Sequence, residues 1–262
     1  QFIRRPILGI RFLGLTTTLE PLNDPRIRQA FNYAIDKRRI AKEIYNDQYL
    51  PGAGILPPGT YGYNPKFIPY PYDPRKAEKL LAAAGYPGGK GLPTIHLWSA
   101  AKFDEAVAEL NAIAGDLAAI GVKLEIHYNT NWPDFKSKVY DGKLQMFRYS
   151  WYADTPDPYT FLYLLFHSQG PHNLTRYKNP LADSLLNKAV AELDYMKRVK
   201  FYQEAEKKII EQAPIIVLGY YSYERLFQSY VKGIRVSALG DRYIPMRYIW
   251  LDRKPGAKEA KQ

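Results

Sequence analysis

Two carboxylates three positions apart, Asp154 and Asp157 in Ser150-Trp-Tyr-Ala-Asp-Thr-Pro-Asp-Pro158, are the residues best placed to do chemistry. Such a pair can act as general acid and base. Glycoside hydrolysis is then one reading, and it needs the two groups about 5 to 10 Å apart across an open cleft. Asp157, however, has a competing duty. An Asp followed by Pro has the form of a helix start, with a side chain that accepts from free N–H groups and a ring suited to the first turn, and it predicts a helix over 159–166. Asp154 has no such duty. It stands in a turn among aromatic residues, where a carboxylate is partly desolvated and needs a cation or donors to stay ionised. An incoming ammonium group meets that need; a turn-forming Asp bonded to local backbone is the alternative.

The other candidate constellations are weaker. Of the four histidines, His96, His127, His167 and His172, only the last two are close in sequence, and Ser168-Gln-Gly-Pro171 between them is a turn rather than the three- or four-residue helical spacing of a metal pair. They read as surface or hydrogen-bonded histidines, and no metal or cofactor is expected. Gly85-Tyr-Pro-Gly-Gly-Lys-Gly91 imitates a phosphate loop, but Gly91 stands where Ser or Thr would hold magnesium, and the segment follows a predicted helix instead of a strand. It reads as a plain loop. The absence of cysteine excludes disulfides, thiolate catalysis and zinc ribbons.

The elements that must position Asp154 follow from periodicity. Asp24-Pro25 starts a helix with the stripe Ile27, Ala30, Phe31, Ala34, Ile35, and Asp73-Pro74 starts another with Ala77, Leu80, Leu81, Ala84, stopped at Gly85. Leu50 to Pro71, rich in Pro, Gly and Tyr, reads as a long ordered loop. Thr94–Trp98 predicts a strand, Phe103, Val107, Leu110, Ala114 and Leu117 a helix ended at Gly121, and Val122, Leu124, Ile126 a second strand. Strand, helix and strand make a right-handed βαβ unit, and the fold class is α/β. Two further helices carry Leu181 to Leu193 and Val199 to Ile209, and Ile215–Leu218 reads as a buried strand. The charged tail from Lys254 to Gln262 lacks apolar anchors and reads as frayed.

With 262 residues, 46% hydrophobic and 15% aromatic, the chain can bury a sizeable core, and no apolar run approaches the roughly 20 residues of a membrane-spanning helix. The net charge of +11 raises nucleic acid as a partner, but Lys and Arg are interleaved with Asp and Glu along the whole length rather than gathered in a stripe. No nucleic-acid partner is expected. Gln1–Arg11 lacks the apolar segment of a secretory signal, so the expectation is that an export signal was removed or that the chain begins mid-protein.

Three motifs resemble one family, the large solute-binding proteins of peptide and nickel ABC transporters. They are Asn23-Asp-Pro-Arg-Ile-Arg-Gln-Ala-Phe-Asn-Tyr-Ala-Ile-Asp-Lys37; Trp151-Tyr-Ala-Asp154 with Asp157-Pro158 and Phe161-Leu162; and Asn173, Tyr177, Asn179-Pro180, Asp183, Arg198 with Ala213-Pro214-Ile215. The resemblance implies an α/β lobe of type II periplasmic-binding-protein-like fold, a mixed sheet flanked by helices. Residues 1–19 would be a crossover strand from a missing amino-terminal lobe, 20–213 the second, ligand-binding lobe, and 214–262 returning strands and tail. It implies no enzymatic activity, a periplasmic or cell-surface location, an oligopeptide ligand, and permease subunits of an ABC transporter as partners. In the oligopeptide-binding branch the matching Asp takes the peptide's α-ammonium group and an Arg just before the Trp helps hold the carboxylate end. The ligand-binding residues implied here are Asp154, Arg148, Trp151 as wall, and Tyr152. A surface or strand-edge Arg148 remains the alternative. An oligosaccharide ligand stacked on some of the 23 tyrosines and 4 tryptophans is the second reading of the same fold.

Overall fold

Along the inner half of the first strand, the longest among the described residues and the spine of the sheet, Leu8, Ile10 and Phe12 face one way and Leu13 and Leu15 the other. The structure is a computed structural model that describes residues 1–240 and 243–252. Its elements run β1 (Phe2–Leu15), α1 (Pro25–Ala34), α2 (Lys37–Glu43), β2 (Leu50–Pro51), α3 (Pro74–Ala83), β3 (Ile95–Ser99), α4 (Asp104–Ala118), β4 (Leu124–Tyr128), α5 (Trp132–Tyr140), β5 (Met146–Tyr152), α6 (Tyr159–Phe166), α7 (Pro180–Ala191), α8 (Tyr195–Glu211), β6 (Ile215–Leu226), β7 (Val231–Lys232) and β8 (Trp250–Leu251). Six of the strands form a mixed sheet in the order β2-β6-β1-β5-β3-β4. β1 is antiparallel to both β5 and β6, whereas β3 is parallel to β5 and β4. This is the expected α/β class, and β3-α4-β4 is the expected βαβ unit.

Alternation divides the strands between two cores. Leu8, Ile10 and Phe12 of β1, with Phe147 and Tyr149 of β5, face α5, α6, α7 and α8; Leu13 and Leu15, with Met146, Ile216 and Leu218, face α1, α2, α3 and α4. Burying each large apolar side chain stabilises the fold by about 1.5–3 kcal/mol relative to exposure. A register shift between Arg11 and Phe12 on β1 lies opposite Gly219 and Val217 of β6. Such an irregularity re-aims the residues beyond it, and here Tyr221 comes to share the face of β5 that carries Ser150, with their hydroxyls 2.7 Å apart.

The helix starts form as the sequence predicts. Asp24 accepts from the Arg26 backbone N–H at 2.8 Å and Asp73 from that of Lys76 at 2.9 Å, each with Pro in the first turn. Residues 85–91 form a connection with a single 3-10 turn at Pro87–Gly89; a Cβ at Gly89 would collide with the Gly121 carbonyl, whereas one at Gly85, Gly88 or Gly91 would meet no neighbour, and these three supply positive φ. The stripe predicted for α4 is rotated. Ala106, Glu109, Leu110, Ile113 and Leu117 are the buried residues, while Phe103 is 52% exposed at the helix start. The short helices α2 and α5 were not anticipated. No helix among the described residues is long and apolar enough to cross a membrane. The tail from Lys254 to Gln262 lies outside the described residues.

Candidate functional site

The parallel strands β3 and β5 both end at one rim of the sheet, at Ser99 and Tyr152, and ligands of open α/β sheets gather at such carboxyl ends. β5 brings Arg148 and Ser150 to the sheet face covered by α4, and β1 brings Arg11 beside them, since Arg11 pairs with Ser150 and Leu13 with Arg148. Helix α4 contributes Glu109, fully buried on its inner side. The Arg148 Nε donates to Glu109 Oε1 at 2.6 Å, the Arg11 Nε lies 3.5 Å from Glu109 Oε2, and the Tyr49 hydroxyl donates to Oε2 at 3.4 Å.

The cluster is nearly dry: the arginine side chains are 5% and 8% exposed and that of Glu109 is 0% exposed. Arg11 lies against the contacting pair Tyr45 and Tyr49, whose ring centres are 4.7 Å apart, with its guanidinium carbon 4.2 Å from each ring centre. A desolvated cation over an aromatic face gains about 2 kcal/mol, which helps keep this charge in the interior. Burial works against the Arg148 charge, but the adjacent Glu109 carboxylate outweighs it and holds the pKa of Arg148 above the ordinary arginine value. Burial pushes the Tyr45 hydroxyl up to about 12, with Glu109 adding to the rise, so it is neutral at physiological pH. Two guanidinium groups against one carboxylate leave the cluster with one positive charge in excess.

The other expected residues follow along β5 and just beyond it. Trp151 is half-buried, donates from its indole N–H to the Thr160 carbonyl at 2.8 Å, and packs against His172 with ring centres 4.7 Å apart. Tyr152 is 43% exposed, and its ring lies 4.9 Å from that of Tyr221. Asp154 follows the last β5 pairing in a bend and is exposed, rather than partly desolvated as the aromatic neighbours suggested; the chain turns outward after Ala153, whose N–H is fixed to the Leu8 carbonyl. No ion pair to Asp154 is formed among the described residues. Asp157, by contrast, is committed. It accepts from the Tyr159 N–H at 2.9 Å and pairs with Arg198 at 2.7 Å, and α6 starts where predicted. That engagement argues against Asp157 as the partner of Asp154 in acid–base chemistry.

Arg148, read from sequence as either a ligand contact or a surface arginine, is buried on Glu109. Arg11, Glu109, Tyr45 and Tyr49 were not anticipated. A signal existed for two of them: Arg11 interrupts the apolar run from Leu8 to Leu15, and Glu109 stands three residues after Ala106 and four before Ile113, at the spacing of an apolar helix face. His167 and His172 are each engaged in hydrogen bonding, to Gln169 N–H and to the Tyr140 hydroxyl. His96, Glu125 and His127 come together on the opposite face of β3 and β4.

Comparison with known proteins fits this architecture. Residues 1–173 match the model of the bacterial extracellular solute-binding proteins, family 5 middle region. The heme-binding protein A of Haemophilus influenzae is 33% identical over 228 residues, covering 84% of this chain and 41% of that protein. The dipeptide-binding protein of Escherichia coli is 30% identical over 252 residues, covering 93% and 46%. The solved structure of the ABC transporter-associated periplasmic binding protein DppA from Helicobacter pylori, in complex with the peptide STSA, superposes with a TM-score of 0.80 at 29% identity over 96% of this chain and 49% of that one. The chain thus spans about half the length of the relatives it matches. With an α/β lobe of the periplasmic-binding type and a family match over most of its length, the chain belongs to the family 5 bacterial extracellular solute-binding proteins.

Proposed function

We propose that this chain is the ligand-binding lobe of the substrate-binding component of an ABC importer working outside the cytoplasm, that it takes peptides in a cleft closed by an amino-terminal lobe, and that it carries out no covalent chemistry. In this reading residues 1–19 lead in from the amino-terminal lobe through β1, β6 begins the strands that return toward it, and permease subunits receive the closed form. The carrying observation is the pairing of unlike sites on one strand and its exit. An exposed carboxylate, Asp154, stands six residues after a buried cluster with one positive charge in excess, centred on Arg148. A peptide carries one ammonium and one carboxylate at fixed ends, and six residues of extended chain span at most about 20 Å, room for a short peptide between them. Asp154 would pair with the ammonium group, the Arg148–Arg11 cluster would draw the carboxylate, and Trp151 and Tyr152 would wall the groove. Closure would then be a hinge motion in which ligand contacts to both lobes stabilise the closed form.

The resemblance to a dipeptide-binding protein and to a complex with the peptide STSA supports this reading. The test is calorimetric titration of the two-lobed protein with di-, tri- and tetrapeptides. Asp154→Ala is expected to weaken binding by about 2 kcal/mol or more, because the ammonium group loses its counter-charge in a closed cleft. N-acetylation of the peptide should weaken it similarly. Equal affinity of the acetylated peptide, or saturation by cellobiose or haem with no response to any peptide, would remove the assignment.

A further inference from the structure

The geometry points to a second binding site, for a divalent transition-metal ion of the zinc, nickel or copper type, built from His96, Glu125 and His127 on the outer face of β3 and β4. The three residues are brought together by strand pairing alone. In the parallel β3–β4 ladder His96 is in register with Glu125, and Trp98 with His127. Side chains two apart on a strand share a face, so His96 and Trp98 of one strand and Glu125 and His127 of the other all project to the same side. That side is opposite the α4-covered face, because the intervening Ile95 and Leu97 belong to the core on the α4 side. The site is therefore separate from the Arg148–Glu109 cluster and independent of the peptide reading.

The distances are those of a ligand set. His96 Nδ1 and His127 Nε2 are 2.9 Å apart, and the Glu125 carboxylate oxygens lie 3.7 Å from the first and 3.5 Å from the second. An ion with metal–nitrogen bonds of about 2.0–2.1 Å and metal–oxygen bonds of about 2.0–2.2 Å holds adjacent donors roughly 2.9–3.6 Å apart. The present spacing thus admits the ion with small side-chain shifts. Two imidazoles and one carboxylate suit zinc, nickel or copper, whereas magnesium and calcium demand oxygen donors.

Support around the ligands is already in place. Trp98 stacks on His127 with ring centres 4.4 Å apart and planes 19° from parallel, and the His96 backbone N–H is tied to the Gln145 side-chain oxygen at 3.0 Å. The side chains are 43%, 56% and 26% exposed for His96, Glu125 and His127, so an ion can enter and water can complete its coordination.

The test uses the chain free of any purification tag, titrated with ZnCl2, NiCl2 and CuCl2 by calorimetry, with MgCl2 and CaCl2 as comparisons. One saturable transition-metal site per chain is expected, with no response to magnesium or calcium. Loss of a supporting residue around a metal typically costs about 10- to 100-fold in affinity, so loss of a ligand in His96→Ala or His127→Ala should cost at least as much. Nickel or copper should also quench part of the tryptophan fluorescence, and Trp98→Phe should abolish that quenching while keeping zinc binding. Where an alanine variant does not fold, histidine ring signals of the unaltered protein titrated with zinc decide: shifts confined to His96 and His127 support the site. No saturable binding, binding unchanged in the folded His96→Ala/His127→Ala protein, or shifts at His167 and His172 instead would overturn it.

Discussion

Glu109 on α4 accepts a 2.6 Å hydrogen bond from Arg148 on β5, and this contact ties a helix to the sheet at the rim where the candidate site lies. It is also the only carboxylate paired with Arg11 or Arg148 among the described residues. Removing it leaves two guanidinium groups in a nearly dry space. Breaking a buried pair from one side costs about 3–5 kcal/mol, since the surviving charge keeps its desolvation penalty. Glu109→Ala is therefore expected to lower stability by about that amount in urea denaturation. The double change Glu109→Leu/Arg148→Met should cost less than Glu109→Ala alone, and a larger loss in the double variant would refute this account of the cluster.

A smaller change reaches the same cluster through the backbone. A Cβ placed on Gly219 of β6 would stand inside contact distance of the Tyr49 ring, the ring that walls Arg11. Overfilling a packed region costs typically about 1–3 kcal/mol. Gly219→Ala should therefore destabilise the protein by about this amount and displace Tyr49 from Arg11. A crystal structure of the variant with Tyr49 unmoved, together with unchanged stability, would count against the tight packing inferred here.

Much of the scaffold is readable in the sequence because it is local. Asp-Pro and Asn-Pro pairs mark where α1, α3 and α7 begin, and Asp157-Pro158 anticipates the start of α6. The βαβ unit follows from alternation and a glycine stop. What sequence reading misses is long-range. Arg11 and Glu109 meet only because β1 lies beside β5 under α4, and no local pattern encodes that juxtaposition. His96 and His127 are 31 residues apart, so their proximity arises from the parallel register of β3 and β4 rather than from a spacing motif. The α4 stripe differs from its periodicity for a related reason: a buried Glu109 is allowed only by its partners across the sheet, and periodicity counts it as a surface residue.

Glu206 gives the fold a predicted pH dependence. It is buried on α8 and accepts from the Ile55 and Leu56 backbone N–H groups at 2.6 and 3.0 Å, fastening the long loop after β2 to the helix. Burial raises its pKa from 4.5 to about 7, with the two N–H donors opposing the rise. The folded state then binds a proton more tightly than the unfolded state. Its contribution is fully present below pH 4.5 and is lost as pH rises through 7, an effect of about 3 kcal/mol over that range. Glu206→Gln keeps an acceptor for the loop and removes the titration. Denaturation curves between pH 4.5 and 8 should show this component in the unaltered protein and not in the variant; parallel pH profiles would exclude it.

Asp154 and Asp157 separate binding from stability. Asp157 accepts from the Tyr159 N–H at the start of α6 and pairs with Arg198, so Asp157→Ala should cost about 1 kcal/mol or more from the lost hydrogen bonds, visible as a lower unfolding midpoint. Asp154 is exposed, and surface changes away from such features usually stay within about 0.5 kcal/mol. Asp154→Ala should therefore unfold at the same midpoint as the unaltered chain while the two-lobed protein loses affinity for peptides. The contrast matters because a hydrolase built on both carboxylates predicts the opposite grouping, with either change abolishing turnover. If Asp154→Ala unfolds as early as Asp157→Ala, its carboxylate is part of the turn's own framework, and the ammonium group of a ligand must be met by some other residue.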